Sequence, residues 1–190
     1  MEASQAREVL IAELREHALV IGEVTLSSGQ KASYYVDAKR ALLRSAAFRA
    51  AGELVAAHAR ELGAAAVGGM TMGADPVACA ALAAADGRDL MAFFVRKQRK
   101  EHGLERWIEG PTLEPGTPCL VVEDVVTTGG STVRALERLL SEGLDVRGSL
   151  CVVDRLAGGG EAIEAAGGAP FSALTTIDEL YPERPDRTNH

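Results

Sequence analysis

Aromatic side chains are scarce in this chain, at 4% of its 190 residues. Proteins built only of strands lean on aromatic and β-branched residues, so the shortage argues against an all-β sandwich. Cysteine is rarer still. Cys79, Cys119 and Cys151 stand far apart in apolar surroundings with no CxxC spacing. That pattern favours reduced, buried thiols in a cytoplasmic protein over disulfides or a zinc site. Positive charge is also in deficit: 20 Lys and Arg face 27 Asp and Glu, a formal net charge of −7. A surface of that sign does not recruit nucleic acid. No apolar run approaches the ~20 residues that span a bilayer, and the charged opening "MEASQAREVLIAELREH" lacks a signal-peptide core. No internal repeat, low-complexity segment or Pro/Ser-rich linker interrupts the chain, which predicts one domain over residues 1–190.

What is present is alanine and aliphatic residues in alternating runs. Helical spacing covers about residues 5–19 and 45–62, with Gly63 suited to the position just past a helix end. Between them, "VTLSSGQKASYYVD" reads as two short β runs turning around Ser28 and Gly29. Strands and helices then alternate. "AAAVGGM", "DLMAFFVR", "PCLVVEDVV", "RGSLCVVD" and "FSALTTI" read as strands, while "DPVACAALAAA", "STVRALERLLSEG" and "GGEAIEAAG" read as helices. A charged loop occupies 97–110, and the tail "YPERPDRTNH" is predicted to be frayed. Near-continuous apolar strands joined by helices predict the α/β class, with a mostly parallel twisted sheet flanked by helices on both faces. Such sheets hold their ligands beyond the carboxyl ends of the strands.

At one of those ends stands "LVVEDVVTTGGST", residues 120–132. Gly129 and Gly130 let the backbone curl so that N–H groups point inward, and Ser131 or Thr132 is placed to cap the following helix. With the hydroxyls of Thr127, Thr128, Ser131 and Thr132, the helix N-terminus makes a cradle for a phosphate monoester. No Lys follows the glycines and no GxGxxG is present, which argues against ATP hydrolysis and dinucleotide binding. Acids beside a phosphate cradle would repel the phosphate, so Glu123 and Asp124 need another task. They are placed to accept hydrogen bonds from vicinal sugar hydroxyls, so that one sugar phosphate bridges both features.

This segment resembles the phosphoribosyl-pyrophosphate (PRPP) signature of the type I phosphoribosyltransferases. Within them the chain resembles the bacterial orotate phosphoribosyltransferases: "VTLSSGQKASYYVD", "GGMTMGADPVA", "FVRKQRKEHG" and "VVDR" follow in the expected order. The resemblance implies transfer of the 5-phosphoribosyl group from PRPP to orotate, with residues 1–40 forming a hood over the base site. It implies PRPP contacts from Arg96, Lys97, Lys100, His102 and the run Glu123, Asp124, Val125, Val126, Thr127, Thr128, Gly129, Gly130 and Ser131. Lys100, His102 and Asp124 are its implied catalytic residues, and the basic loop reaches into a neighbouring subunit of a homodimer. Mg²⁺ is carried by the diphosphate and hydroxyls of PRPP rather than by a direct protein metal site, since Mg²⁺ favours phosphate oxygens with few protein ligands.

Other residues support that chemistry. "RKQRKEHGLERWIEG" concentrates Arg96, Lys97, Arg99, Lys100, His102 and Arg106 in an otherwise acidic chain, as a lid closing on a departing diphosphate requires. Trp107 either docks when the loop closes or packs its base. "GGMTMGAD" either offers N–H groups to the diphosphate or is an ordinary turn before Pro76. Arg155 either takes the orotate carboxylate in a two-pronged contact or pairs with a nearby acid. Tyr34 and Tyr35 are candidates to cover the orotate ring, and the resemblance adds Thr127 on the orotate side. Two departures stand out: Ser27 where many relatives have Lys, and no basic residue in "TMGA". Either Lys31 and the basic lid compensate, or charge stabilisation is weaker. A purine phosphoribosyltransferase would keep the PRPP loop but replace the hairpin and Arg155. A non-catalytic PRPP-sensing regulator would lose the basic lid.

Overall fold

The computed structural model describes every residue except 26–28, 30, 88, 99–106 and 188–190. Its elements run α1 (Ala3–His17), β1 (Leu19–Thr25), β2 (Lys31–Val36), α2 (Lys39–Leu42), α3 (Ser45–Glu61), β3 (Ala66–Met70), α4 (Ala74–Ala83) and β4 (Met91–Val95). They continue with β5 (Ile108–Glu109), β6 (Pro118–Val126), α5 (Gly130–Ser141), β7 (Asp145–Asp154), α6 (Gly159–Gly167), β8 (Phe171–Thr176) and α7 (Ile177–Leu180). Six strands form one sheet in the order β5-β4-β3-β6-β7-β8, parallel except for β5. β1 and β2 form a separate antiparallel hairpin. The strand order reverses between β3 and β6, and beyond the carboxyl ends of that pair a doubly wound sheet opens a crevice.

The pleat of β6 sorts two cores. Leu120 and Val122 join the cluster made with α1, α3 and α4, while Cys119 and Val121 join the one made with α5 and α6. Small residues set the distances between layers. A Cβ on Gly52 of α3 would lie 2.4 Å from the Ala80 carbonyl of α4, and one on Gly69 would lie 2.1 Å from the Val122 carbonyl. Close backbone approach thus does the packing that aromatics do elsewhere, which is how so few of them suffice.

The structure departs from expectation in several places. The first helix ends at His17, and β1 begins at Leu19, inside the predicted helix. α2, β5 and α7 are two to four residues long, too short for periodicity to register. β5 pairs antiparallel with β4, Val95 opposite Ile108, and the Arg96 N–H bonds to the Trp107 carbonyl (2.9 Å), so residues 107–109 of the predicted loop belong to the sheet edge.

Cys119 and Cys151 are buried, and burial, aided by Asp145, pushes the Cys119 thiol up to about 12. Cys79 is exposed. It lies on α4, an alanine-rich helix with little periodic contrast, so its sequence does not say which side is wet.

The tail is not frayed over residues 181–187. Arg184 pairs with Asp178 and with Asp186 (3.2 Å), and Tyr181 packs edge-on against Tyr34 with ring centroids 5.5 Å apart.

Replacing Gly69 with Ala should destabilise the protein by about 2–3 kcal/mol, because the methyl group meets backbone on a neighbouring strand that cannot yield. Urea unfolding measures this; a midpoint equal to wild type would overturn the close-packing account.

Candidate active site

Glu123 and Asp124 lie within β6 and are only 6% and 7% exposed, so they are not a solvated strand end. Their environments differ. Lys39, just after the hairpin, places its Nζ 3.1 Å from Asp124 Oδ2 and 3.1 Å from Asp37 Oδ1. Burial opposes the Lys39 charge, but the two carboxylates outweigh it and hold the ammonium above the ordinary lysine value. Glu123 has no such partner, and its Oε2 is buried without a hydrogen bond. Burial, then the neighbouring Asp124 charge, raises the Glu123 carboxyl from 4.5 to about 8. A Glu123 carboxyl so raised tends to hold its proton near neutral pH, and in that form it can donate a hydrogen bond as well as accept one. Gly73 closes the arrangement: a Cβ there would stand 2.4 Å from Glu123 Oε1 and 2.5 Å from Asp124 Oδ1. Only a bare backbone fits over both acids.

A cleft of about 280 Å³ opens beside Glu123, lined by Val125, Val126, Thr127, Thr128, Gly129, Gly130, Ser131, Thr132 and Arg134. Gly129, at φ 76°, is itself the N-cap of α5, and no side chain caps the helix. Neither Ser131 nor Thr132 does so, because the left-handed turn at Gly129 starts the helix two residues earlier than a cap at Ser131 would. The first intrahelical bond runs from the Val133 N–H to the Gly129 carbonyl, 2.9 Å. The N–H groups of Gly130, Ser131 and Thr132 are thus those a first turn leaves free for an anion. A Cβ on Gly129 would also strike the Gly159 carbonyl at 2.7 Å.

A second cleft is lined by Tyr35, Val36, Lys39, Asp124, Val125, Thr127 and Arg155. Successive strand residues face opposite ways, so Tyr34 and Tyr35 do not share a role. Tyr35 lines the cleft, whereas Tyr34 is 2% exposed and points inward. The Tyr34 hydroxyl accepts from Arg155 Nη2 (2.9 Å) and donates to Asp186 Oδ2 (3.0 Å).

On the far side, Thr71, Phe94, Arg96, Lys97, Gln98 and Glu109 line a third cavity. Thr71 donates to Asp75 Oδ2 (2.7 Å), and Arg96 is tied to Glu109 (3.1 Å). Arg99, Lys100, His102 and Arg106 lie outside the described residues, as do Ser27 and Ser28. Trp107 packs at the loop base, with the Arg138 guanidinium 3.3 Å from its ring centroid. Lys31 is engaged by Glu23 at 2.8 Å within the hairpin. Lys39, Gly73 and Asp186 were not foreseen; the one available signal was a Lys two residues after Asp37 at the hairpin exit.

No family model matches the chain. The orotate phosphoribosyltransferase of Corynebacterium glutamicum is 48% identical over 177 residues, covering 93% of this chain and 95% of that protein. The chain belongs to the orotate phosphoribosyltransferase family. Its fold matches the Mycobacterium tuberculosis orotate phosphoribosyltransferase solved in complex with Fe(III) dicitrate, at TM-score 0.82 and 42% identity, covering 92% of this chain and 98% of that one. The M. tuberculosis enzyme in complex with PRPP aligns at TM-score 0.78 and 38% identity, with 92% and 98% covered. For a member of this family, the two clefts meeting at β6 are the region of interest.

The raised Glu123 value sets a pH dependence of stability. Below about 4.5 both folded and unfolded states hold the proton; between there and about 8 only the folded state does. Stability from this group therefore falls as pH rises through that window. Glu123→Gln should gain on wild type progressively from pH 5 to pH 8 in chemical denaturation, and parallel curves would overturn the assignment.

Proposed function

We propose that this chain transfers the 5-phosphoribosyl group from PRPP to orotate, giving orotidine 5′-phosphate and diphosphate in pyrimidine biosynthesis. One observation carries the reading: Val125 and Thr127 line both the phosphate cradle and the cleft holding Arg155 and Lys39, with Glu123 in one and Asp124 in the other. A ribose lying across β6 would put its 5′-phosphate against Thr127–Ser131, its diol on the two acids and its anomeric carbon toward the second cleft. That a relative of the same fold is solved in complex with PRPP supports PRPP as the ligand.

In the reaction the bond between the anomeric carbon and diphosphate breaks, and a pyrimidine nitrogen forms the new bond to that carbon. No protein nucleophile is needed; orientation and charge stabilisation do the work. Asp124, anchored by Lys39, accepts from one ribose hydroxyl, while Glu123, its carboxyl raised by burial, can donate to the other. Arg155 offers its fork to the orotate carboxylate, and Tyr35 and Val36 supply an apolar wall, so residues 1–40 act as a hood over the base. Arg96, Lys97, Lys100 and His102 form the lid that takes the charge of the departing diphosphate, acting across a homodimer as the resemblance implies.

Among the described residues no cluster of three or more His, Cys, Asp or Glu is arranged to hold a metal ion. The partnerless Oε2 of Glu123 and Oδ1 of Asp75 are hard oxygens at this edge, fitted to meet the water shell of an Mg²⁺ brought by PRPP. When bound, that ion neutralises diphosphate charge.

A purine substrate is less well supported. The adenine phosphoribosyltransferase of Trypanosoma brucei shares the fold at TM-score 0.70 but is 12% identical, and a cationic fork in the base cleft suits a carboxylated ring.

Purified protein with PRPP and Mg²⁺ should consume orotate and leave adenine, hypoxanthine and uracil untouched. Consumption of a purine with orotate spared would overturn the substrate assignment. Lys100→Ala should lower turnover by about 10²–10³-fold with the fold intact, as loss of a group stabilising transition-state charge does. Mixing it with Asp124→Asn subunits should restore part of the activity, and mixtures no better than either parent would remove the lid from the neighbouring site.

A further inference from the structure

We infer that Tyr34 and Asp186 are positioning residues, through which the C-terminal tail sets the orientation of the Arg155 guanidinium that receives the base carboxylate. This deepens the proposed function and rests on its placing of orotate at Arg155.

A phenolic hydroxyl carries one proton. Tyr34 lies 3.0 Å from a carboxylate oxygen of Asp186 and 2.9 Å from Nη2 of Arg155. Its proton therefore goes to Asp186, and its lone pair accepts from Arg155. Donation to a charged acceptor makes the hydroxyl oxygen a stronger acceptor in turn, so the two bonds reinforce each other. Asp186 also forms a long ion pair with Arg155 Nη2, at 4.0 Å, which is the pairing with a nearby acid that the sequence left open. At hydrogen-bond distance its contact with the arginine runs through the phenol. Arg155 Nε remains buried without a hydrogen-bond partner, in a side chain that lines the base cleft. A fork with one corner already fixed presents a defined plane to an incoming carboxylate.

Both ends of this relay are held. The Tyr34 ring sits under the guanidinium, 4.8 Å from Arg155 Cζ, and meets Tyr181 edge-on. Asp186 is fixed by Arg184 Nε at 3.2 Å, and both Arg184 and Arg187 (3.8 Å) pair with Asp178 on α7. α7 is fixed in turn to α1 by Arg7 on Glu179 and by Arg15 on the Glu179 carbonyl. The last described turn of the chain thus reaches the base cleft as a brace, 31 positions in sequence beyond the residue it orients.

Steady-state kinetics on the full chain test this with Tyr34→Phe, Asp186→Ala, the double variant and Arg155→Ala. Tyr34→Phe keeps the ring contacts with Tyr181 and Arg155 and so should fold. Each single variant should raise KM for orotate roughly tenfold, as loss of one charge-assisted hydrogen bond does, with KM for PRPP moving far less. Because Asp186 acts through the phenol, the double variant should be no worse than Tyr34→Phe alone. If the single variants lower only the unfolding midpoint and leave orotate KM at wild type, the tail is a structural anchor and the inference fails. Multiplicative losses in the double variant would also overturn it. If Arg155→Ala raises orotate KM while Tyr34→Phe and Asp186→Ala do not, this inference alone falls. If Arg155→Ala leaves orotate KM unchanged, the placing of orotate falls with it.

Discussion

Two carboxyl groups buried on consecutive residues of one strand cannot both carry charge unaided, and the site is arranged around that constraint. Asp124 is paired with Lys39, which reaches it from the hairpin side. The Glu123 carboxyl is raised because its burial and the neighbouring Asp124 outweigh the attraction of the Lys39 charge. Gly73 lies over both because any side chain there would collide with them. Two like groups thus stand in different environments, one paired with a lysine and the other raised by burial.

The rest of the fold serves that edge. The reversal of strand order between β3 and β6 opens the crevice, the left-handed Gly129 aims the first turn of α5 into it, and the hairpin delivers Lys39 and Tyr35 from the opposite side. Bringing these elements together requires thin layers. Gly52 against Ala80, Gly69 against Val122 and Gly129 against Gly159 are backbone-to-backbone contacts that a single methyl would block. The scarcity of aromatics and abundance of alanine follow from the same need. Tyr34 and Trp107 each sit under an arginine, fixing Arg155 and Arg138 in turn.

The strand–helix alternation from residue 66 onward was legible because long apolar strands and amphipathic helices impose periods that survive without context. β6 was bounded to the residue, and the acid pair and anion loop were recognised for what they offer chemically. Short elements escaped: β5 carries two residues and α2 and α7 four each, fewer than a period needs. Cys79 was expected inside because its helix is apolar almost all round, and the cap of α5 was assigned to hydroxyls because Gly129 acts by backbone conformation, which composition hides.

By itself, the sequence determined the layer architecture, the position of the carboxylates and phosphate cradle on one strand end, and the family to which both belong. These are properties of contiguous residues, whose spacing is set by strand and helix geometry. Tertiary structure alone decided that Lys39 pairs with Asp124, that burial raises the Glu123 carboxyl, that Tyr34 bonds Arg155 while Tyr35 faces the cleft, and that the tail reaches Tyr34. Each of those depends on distances between segments far apart in the chain, and on burial, which a linear pattern does not carry.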